Sequence, residues 1–279
     1  MTKPMFKNER LIRLALEEDI GPGDVTTEAL IEPDRAATAV IFAKEPLILA
    51  GLQVAREVFT TLDPAMSFDT TFHDGDRIES RDEILTAQGK FRALLTGERT
   101  ALNFLQRLSG ISTLTRQYVD QVAGSKVRLT DTRKTTPGWR RLEKYAVKVG
   151  GADNHRFGLY DGILIKDNHV EACGGIREAV DRVRNERSHR SQIEVEVSDL
   201  NQVKQALESG VDIIMLDNMN LNDIRKAVTL IDGRALIEVS GGVTLDTLAE
   251  FANTGVDIIS IGALTHAARA VDISMRVVV

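Results

Sequence analysis

The second half of the chain alternates short β-branched runs with longer stretches whose apolar residues recur at helical spacing. Strand signals fall at 127–131 (V-R-L-T-D), 162–166 (G-I-L-I-K), 193–197 (I-E-V-E-V), 212–217 (D-I-I-M-L-D), 235–240 (A-L-I-E-V-S) and 256–262 (V-D-I-I-S-I-G). Helical patterns at 176–187, 199–209, 221–231 and 244–254 lie between them. Repeated β-α units predict a parallel sheet, either wound flat or closed as a barrel. The strand tips discriminate between the two. They read D-T-R-K, K-D-N-H, E-V-S-D, D-N-M, S-G-G and G-A-L. A barrel gathers all its strand C-termini around one mouth, whereas a flat sheet concentrates function at one switch point. Polar tips on about six successive strands favour a barrel, and the shortfall from eight predicts an incomplete TIM-like α/β barrel.

The first hundred residues have a different texture. Residues 8–18 read as an amphipathic helix, D-I-G-P-G-D-V-T-T as a turn-rich break, Ala37–Ala43 as a strand, 52–62 as a helix, D-G-D at 74–76 as a tight turn and Ile84–Gln88 as a strand. Such mixing without strict alternation predicts a small N-terminal α+β domain. Gly97 opens a long helical pattern carried by Leu102, Leu105, Leu108, Ile111 and Leu114, with a bend expected at Gly110. The expected division is 1–110 for the α+β domain and 111–269 for the barrel. The final 270–279 segment reads as a strand returning to the first domain.

Composition narrows the class. The chain is 43% hydrophobic and 27% charged, with a formal net charge of -6. Its acidity and few aromatics argue against a nucleic-acid binder. The N-terminus lacks the apolar core and cleavage site of a signal peptide, and no run approaches the roughly 18 apolar residues of a membrane span. Cys173 is the single cysteine, so no intrachain disulfide forms, and it reads as an incidental thiol before a Gly-Gly pair at a helix start. A cytoplasmic protein is expected.

Against that acidity, Arg133, Lys134, Lys148, His155, Arg156, Lys166 and His169 crowd into one stretch, expected on two adjacent strands. Arginine forks match carboxylates and phosphates, so the cluster calls for a polyanionic ligand. Glu194 and Glu196 share one face of their strand, and Asp217 ends the next. Glu196 and Asp217 suit a hard cation such as Mg²⁺ held together with substrate phosphates. An ion pair with Lys166 accounts for one of these carboxylates equally well. Ser240-Gly241-Gly242 and Gly262-Ala263 end the last two strands, where barrels bind phosphate on backbone N–H groups. No Cys/His cluster suggests zinc, and no Walker A or dinucleotide fingerprint is present.

At these motifs the whole chain resembles the quinolinate phosphoribosyltransferase family. The shared segments are E-D-I-G-P-G-D-V-T-T, G-E-R-T-A-L-N-F-L-Q-R-L-S-G-I-S-T, D-T-R-K-T-T-P-G, K-Y-A-V-K-V-G-G-A-D-N-H-R, I-K-D-N-H, E-V-E-V, L-D-N, S-G-G and G-A-L-T-H. The resemblance implies phosphoribosyl transfer from phosphoribosyl pyrophosphate to quinolinate, with decarboxylation to nicotinate mononucleotide. It implies that Thr132, Arg133, Lys134, His155 and Arg156 bind the dicarboxylate and that Lys166 sits between the substrates. Glu196 and Asp217 then face the ribose and Mg²⁺-pyrophosphate. Ser240, Gly241, Gly242, Ile261, Gly262 and Ala263 take the 5′-phosphate. Lys134, Lys166, Glu196 and Asp217 are the implied catalytic groups. Arg99 is implied to reach the neighbouring subunit's site in a homodimer. Trp139 departs from the aliphatic residue the family more often has.

Overall fold

Six parallel strand ends carry the residues of interest, and regular packing beneath them sets their positions. The computed structural model describes residues 8–186 and 192–278. In chain order the first elements are α1 (Glu9–Ile20), α2 (Val25–Leu30), β1 (Ala36–Ala43), β2 (Leu47–Ile48), α3 (Leu52–Leu62), β3 (Ser67–Asp69), β4 (Arg77–Ile78), β5 (Glu83–Lys90) and α4 (Phe91–Gln121). Then follow β6 (Arg128–Thr130), α5 (Arg140–Gly150), β7 (Ile163–Ile165), α6 (Asp167–Cys173), α7 (Ile176–Glu186), β8 (Ile193–Val197), α8 (Leu200–Glu208) and β9 (Ile213–Asp217). The last are α9 (Leu221–Ile231), β10 (Leu236–Ser240), α10 (Leu245–Ala252), β11 (Ile258–Ser260), α11 (Ala263–His266) and β12 (Ile273–Val278). The helix expected to reach 187 is described to Glu186; residue 187 lies outside the described residues, as do 1–7 and 279.

Two compact units emerge. One comprises 1–114, 136–150 and 268–279; the other comprises 115–135 and 151–267. In the first, an antiparallel sheet runs β12-β1-β5-β3, so the C-terminal strand pairs with β1. Leu52, Val54, Ala55, Val58 and Phe59 of α3 are buried at helical spacing. Gly97 does not open α4; the helix starts at Phe91. A Cβ at Gly97 would meet Leu62 and Phe59 side chains at 3.0 Å, so this glycine serves close helix packing instead. Gly110 likewise marks an approach: the Arg269 carbonyl oxygen would lie 1.9 Å from an added Cβ. Trp139 stacks on Phe104 with ring centroids 4.6 Å apart.

In the second unit six parallel strands run β6-β11-β10-β9-β8-β7 with α/β connections, the incomplete barrel. The cationic stretch is therefore not on adjacent strands. β6 pairs with β11 and β7 with β8, which puts β6 and β7 at opposite edges of the sheet. Beside β6 lies the segment after α5, through a parallel bridge between Thr130 and Asp153. Helix starts follow cap chemistry. Asp199 accepts from the Asn201 and Gln202 N–H groups, Asn220 from Asp223, and Thr244 from Thr247. Cys173 ends α6, a helix the sequence reading did not give; Gly174, at φ 89, caps that end, and the Gly174-Gly175 pair leads into α7 at Ile176 as expected.

Candidate functional site

The β6 tip turns sharply into a loop. The Asp131 carboxylate is fully buried and accepts from Asn154 Nδ2 at 2.7 Å and from the His155 N–H at 3.0 Å. That clamp brings the N-H-R segment beside D-T-R-K although 19 residues lie between them in sequence. Within the turn, the Lys134 N–H donates to Thr132 Oγ1 at 3.1 Å. The buried Thr265 hydroxyl of α11 donates to the Lys134 carbonyl at 2.8 Å, tying the first strand tip to the last.

These tips enclose a pocket of about 750 Å³, wholly within the second unit. Thr132, Arg133, Lys134, His155, Arg156, Lys166, Glu196, Asp217, Ser240, Gly241, Gly242, Ile261, Gly262 and Ala263 all line it. Arg99 does not; it is exposed on α4 in the first unit. Two members of the sequence cluster also fall away. Lys148 lies on α5 in the first unit. His169 uses its Nδ1 to accept from the Lys166 N–H at 3.0 Å, closing the start of α6.

The cationic side is electrostatically stressed. Arg156 Nη1 donates to the Gly162 carbonyl at 2.9 Å. Burial, then the like charge of Arg133, push the Arg156 guanidinium below its usual range, while Glu194 and Asp161 oppose the shift. An anion between the two guanidinium groups would relieve that repulsion.

On the other side, Lys166 Nζ pairs with Glu196 Oε2, so the ion pair weighed as an alternative is present. Asp217 Oδ2 accepts from Asn218 Nδ2 at 2.7 Å. Asn218 holds a left-handed backbone, φ 54, and its N–H donates to Ser240 O at 2.9 Å. Gly241 and Gly242 follow at φ 94 and φ 66. A Cβ at Gly241 would sit 2.2 Å from Asn218 Oδ1, so this turn and the Asp217 carboxylate are geometrically coupled.

Beneath the pocket, His155 and Glu194 meet Glu238, a residue that the sequence reading missed. His155 Nε2 is 3.2 Å from Glu194 Oε2 and 3.5 Å from Glu238 Oε1. Burial, then the Glu194 charge, push the Glu238 carboxyl up to about 7. A glutamate inside an apolar parallel strand, A-L-I-E-V-S, was its available signal. Leu164, Met215, Asn218, Val243, Thr244, Ser260 and His266 also line the pocket. Asn218 and His266 lie in the L-D-N and G-A-L-T-H segments. Leu164 and Met215 were legible only as strand residues.

Comparison with known proteins places this geometry in a lineage. Residues 111–276 match the family described as quinolinate phosphoribosyl transferase, C-terminal domain, and 24–109 match its N-terminal domain. A Bacillus subtilis protein named "Probable nicotinate-nucleotide pyrophosphorylase (carboxylating)" is 44% identical over 269 residues, 96% of this chain and 93% of its own. A Synechocystis protein of the same name is 45% identical over 266 residues, covering 94% and 90%. The crystal structure of NadC from Streptococcus pyogenes superposes with TM-score 0.94 at 44% identity, covering 99% of this chain and 98% of that one.

Proposed function

The chain belongs to the quinolinate phosphoribosyltransferase family, and from that premise we propose that it joins quinolinate to phosphoribosyl pyrophosphate. The products are nicotinate mononucleotide, carbon dioxide and pyrophosphate, a step of NAD biosynthesis. The observation that carries the reading is a single pocket lining that sets paired guanidinium groups against two carboxylate strand tips and two glycine turns.

In this reading Arg133 and Arg156, with Thr132, Lys134 and His155, hold the dicarboxylate so that its ring nitrogen faces the anomeric carbon. The backbone around Ser240, Gly241, Gly242, Ile261, Gly262 and Ala263 holds the 5′-phosphate. Lys166 lies between the substrates. The ring-nitrogen lone pair forms the new bond as the carbon–oxygen bond to pyrophosphate breaks, with its electrons leaving on pyrophosphate. The bond from C2 to its carboxylate then breaks. Carbon dioxide departs, and the electron pair on C2 is stabilised by the cationic ring until C2 takes up a proton. Positioning and electrostatic stabilisation supply most of the acceleration. Lys134, Lys166, Glu196 and Asp217 are the catalytic groups of this scheme.

Hard oxygen donors on neighbouring strand tips fit Mg²⁺, which Glu196 and Asp217 would hold directly or through water. When bound, it would neutralise charge on the pyrophosphate. We further propose a homodimer in which Arg99 serves the neighbouring subunit's site; its exposure and its place outside the lining support this. Soluble, charged metabolites as substrates suit a cytoplasmic enzyme. No helix among the described residues is long and apolar enough to cross a membrane.

The test incubates the protein with quinolinate, phosphoribosyl pyrophosphate and Mg²⁺ and follows nicotinate mononucleotide and carbon dioxide. Nicotinate replaces quinolinate as the control, and a chelator removes the metal. Turnover of nicotinate but not quinolinate would overturn the substrate assignment. Undiminished turnover in the chelator would overturn the metal. Mixing inactive R99A and K166A chains should restore part of the activity; no recovery in verified mixed dimers refutes the shared site.

A further inference from the structure

The interior of a parallel barrel is ordinarily packed with Val, Ile and Leu in layers drawn from alternate strands. Here two glutamates occupy it. Glu194 on β8 and Glu238 on β10 flank β9, with side chains 7% and 2% exposed. One oxygen of each, Glu194 Oε1 and Glu238 Oε1, makes no hydrogen bond among the described residues, although Glu238 Oε1 lies 3.5 Å from His155 Nε2. Burying carboxylate oxygens without hydrogen bonds costs on the order of 1–3 kcal/mol per unsatisfied group unless protons or partners compensate. Such a pair calls for a function.

The hydrogen bonds around His155 supply one. The Arg156 backbone N–H donates to His155 Nδ1 at 2.8 Å. Nδ1 is therefore an acceptor, and Nε2 carries the ring proton in the neutral imidazole. Nε2 faces Glu194 at 3.2 Å and Glu238 at 3.5 Å. The ring thus links the buried pair on one side to the backbone of Arg156 on the other.

We propose that Glu238, together with Glu194, is a positioning residue: the pair fixes the tautomer and orientation of His155, and through it sets how Arg156 meets a carboxylate of the acceptor substrate. The proposal rests on the functional reading above and deepens it at the dicarboxylate half of the site. Glu238 touches neither substrate nor reacting atoms. It acts through the imidazole, as outer partners orient a catalytic histidine elsewhere. A neutral glutamine at 238 keeps the shape and an acceptor oxygen for the Nε2–H group, whereas leucine removes the acceptor.

The experiment measures KM and kcat separately for both substrates in the wild type, E238Q and E238L. E238L should raise KM for quinolinate tenfold or more and leave KM for phosphoribosyl pyrophosphate within twofold. E238Q should return the quinolinate KM to within threefold of the wild type. An unchanged quinolinate KM in folded E238L overturns the proposal, and so does a parallel loss for both substrates. If E238L does not fold, ¹⁵N-histidine NMR of the wild type and E238Q decides. The expected His155 signature is a protonated Nε2 with an acceptor Nδ1 in both proteins, with the Nε2 resonance shifted in E238Q; the opposite tautomer, or an unmoved Nε2 resonance, refutes it. His155, Glu194 and Glu238 also place three ligand-type atoms within 4.8 Å of one another. Stoichiometric metal in the purified wild type that is lost in E238Q would overturn positioning in favour of a metal-ligand set. A wild type inactive on quinolinate overturns the functional reading instead, and the NMR signature then still decides the placement of His155.

Discussion

Replacing Gly241 with alanine should damage the site through a residue on another strand. The backbone there has φ 94, beyond the left-handed well open to L residues, which costs about 1–2 kcal/mol. The new Cβ would lie 2.2 Å from Asn218 Oδ1 and 2.6 Å from its Cγ, so the Asn218 side chain must move. The Asn218 backbone N, 3.1 Å away, is held by its bond to the Ser240 carbonyl and gives little. Moving the side chain removes the 2.7 Å donor on Asp217 Oδ2, a charge-assisted bond worth about 1.5–3 kcal/mol. In activity that corresponds to roughly a 10–100-fold fall in kcat/KM for phosphoribosyl pyrophosphate. Gly242→Ala is the control. Its φ is 66 and nothing lies within 4 Å of the added Cβ, so the backbone cost alone applies, about 1 kcal/mol. Thermal unfolding and steady-state kinetics should separate the two variants in both readouts. Equal melting temperatures and equal kcat/KM would show that the glycine turn and Asp217 are not coupled.

Asp131→Ala leaves Asn154 Nδ2 and the His155 N–H without their buried acceptor; a loss of about 3 kcal/mol is expected in urea unfolding, with weakened quinolinate binding in titration. Gly110→Ala should gain about 1 kcal/mol of helix propensity. The contact at 1.9 Å is with backbone, however, which cannot rotate away, so a net loss of about 3 kcal/mol or more should appear as a lower melting temperature; a rise would contradict the packing. Glu45 accepts from Arg269 and from the Asp272 N–H, and the Arg269 hydrogen bond above all holds its carboxyl down at about 2 against an ordinary 4.5. A lowered carboxyl stabilises the fold above the ordinary value, and that contribution is lost as pH falls towards 2. Arg269 is 71% exposed, so screening limits the effect to about 1 kcal/mol. Glu45→Gln should therefore lower the melting temperature at pH 7, with the difference shrinking by pH 3; a constant difference would refute the linkage.

The barrel was legible because parallel strands announce themselves at their C-terminal tips. D-T-R-K, K-D-N-H, L-D-N and S-G-G read as polar strand tips rather than as hydrophobic core, and six such tips in register imply a common mouth. Strand order was not legible. Side-chain period says which face Glu194 occupies but not that Glu238, two strands across, shares its layer; only the β8-β9-β10 order reveals that. Nor does local sequence show that Lys148 departs with α5 into the other unit while His155, seven residues on, returns to the β6 tip. Gly97 misled for a related reason. Glycine in a helical pattern reads as a boundary, yet here it admits Phe59 and Leu62, a tertiary contact invisible to periodicity. Arg99 entered through family resemblance alone, since nothing in its helical surroundings distinguishes it from a solvated arginine.

Charge placement links these observations to specificity. Arg156 is desolvated and lies near enough to Arg133 for repulsion to weaken its hold on a proton. Two guanidinium groups so placed are best satisfied by two negative groups on one rigid ligand. A monocarboxylate of similar shape would leave one of them partly uncompensated. Because Arg156 is partly buried, water replaces a carboxylate missing there poorly, and discrimination between diacid and monoacid follows from what the wrong ligand leaves unpaired. The acidic floor sharpens this. Glu194 supports the arginine charge from below, and the upward push on the Glu238 carboxyl, from burial and then the Glu194 charge, lessens the floor's repulsion of an incoming dianion. With quinolinate placed as proposed, selectivity for the diacid depends as much on what lies under the pocket as on what lines it.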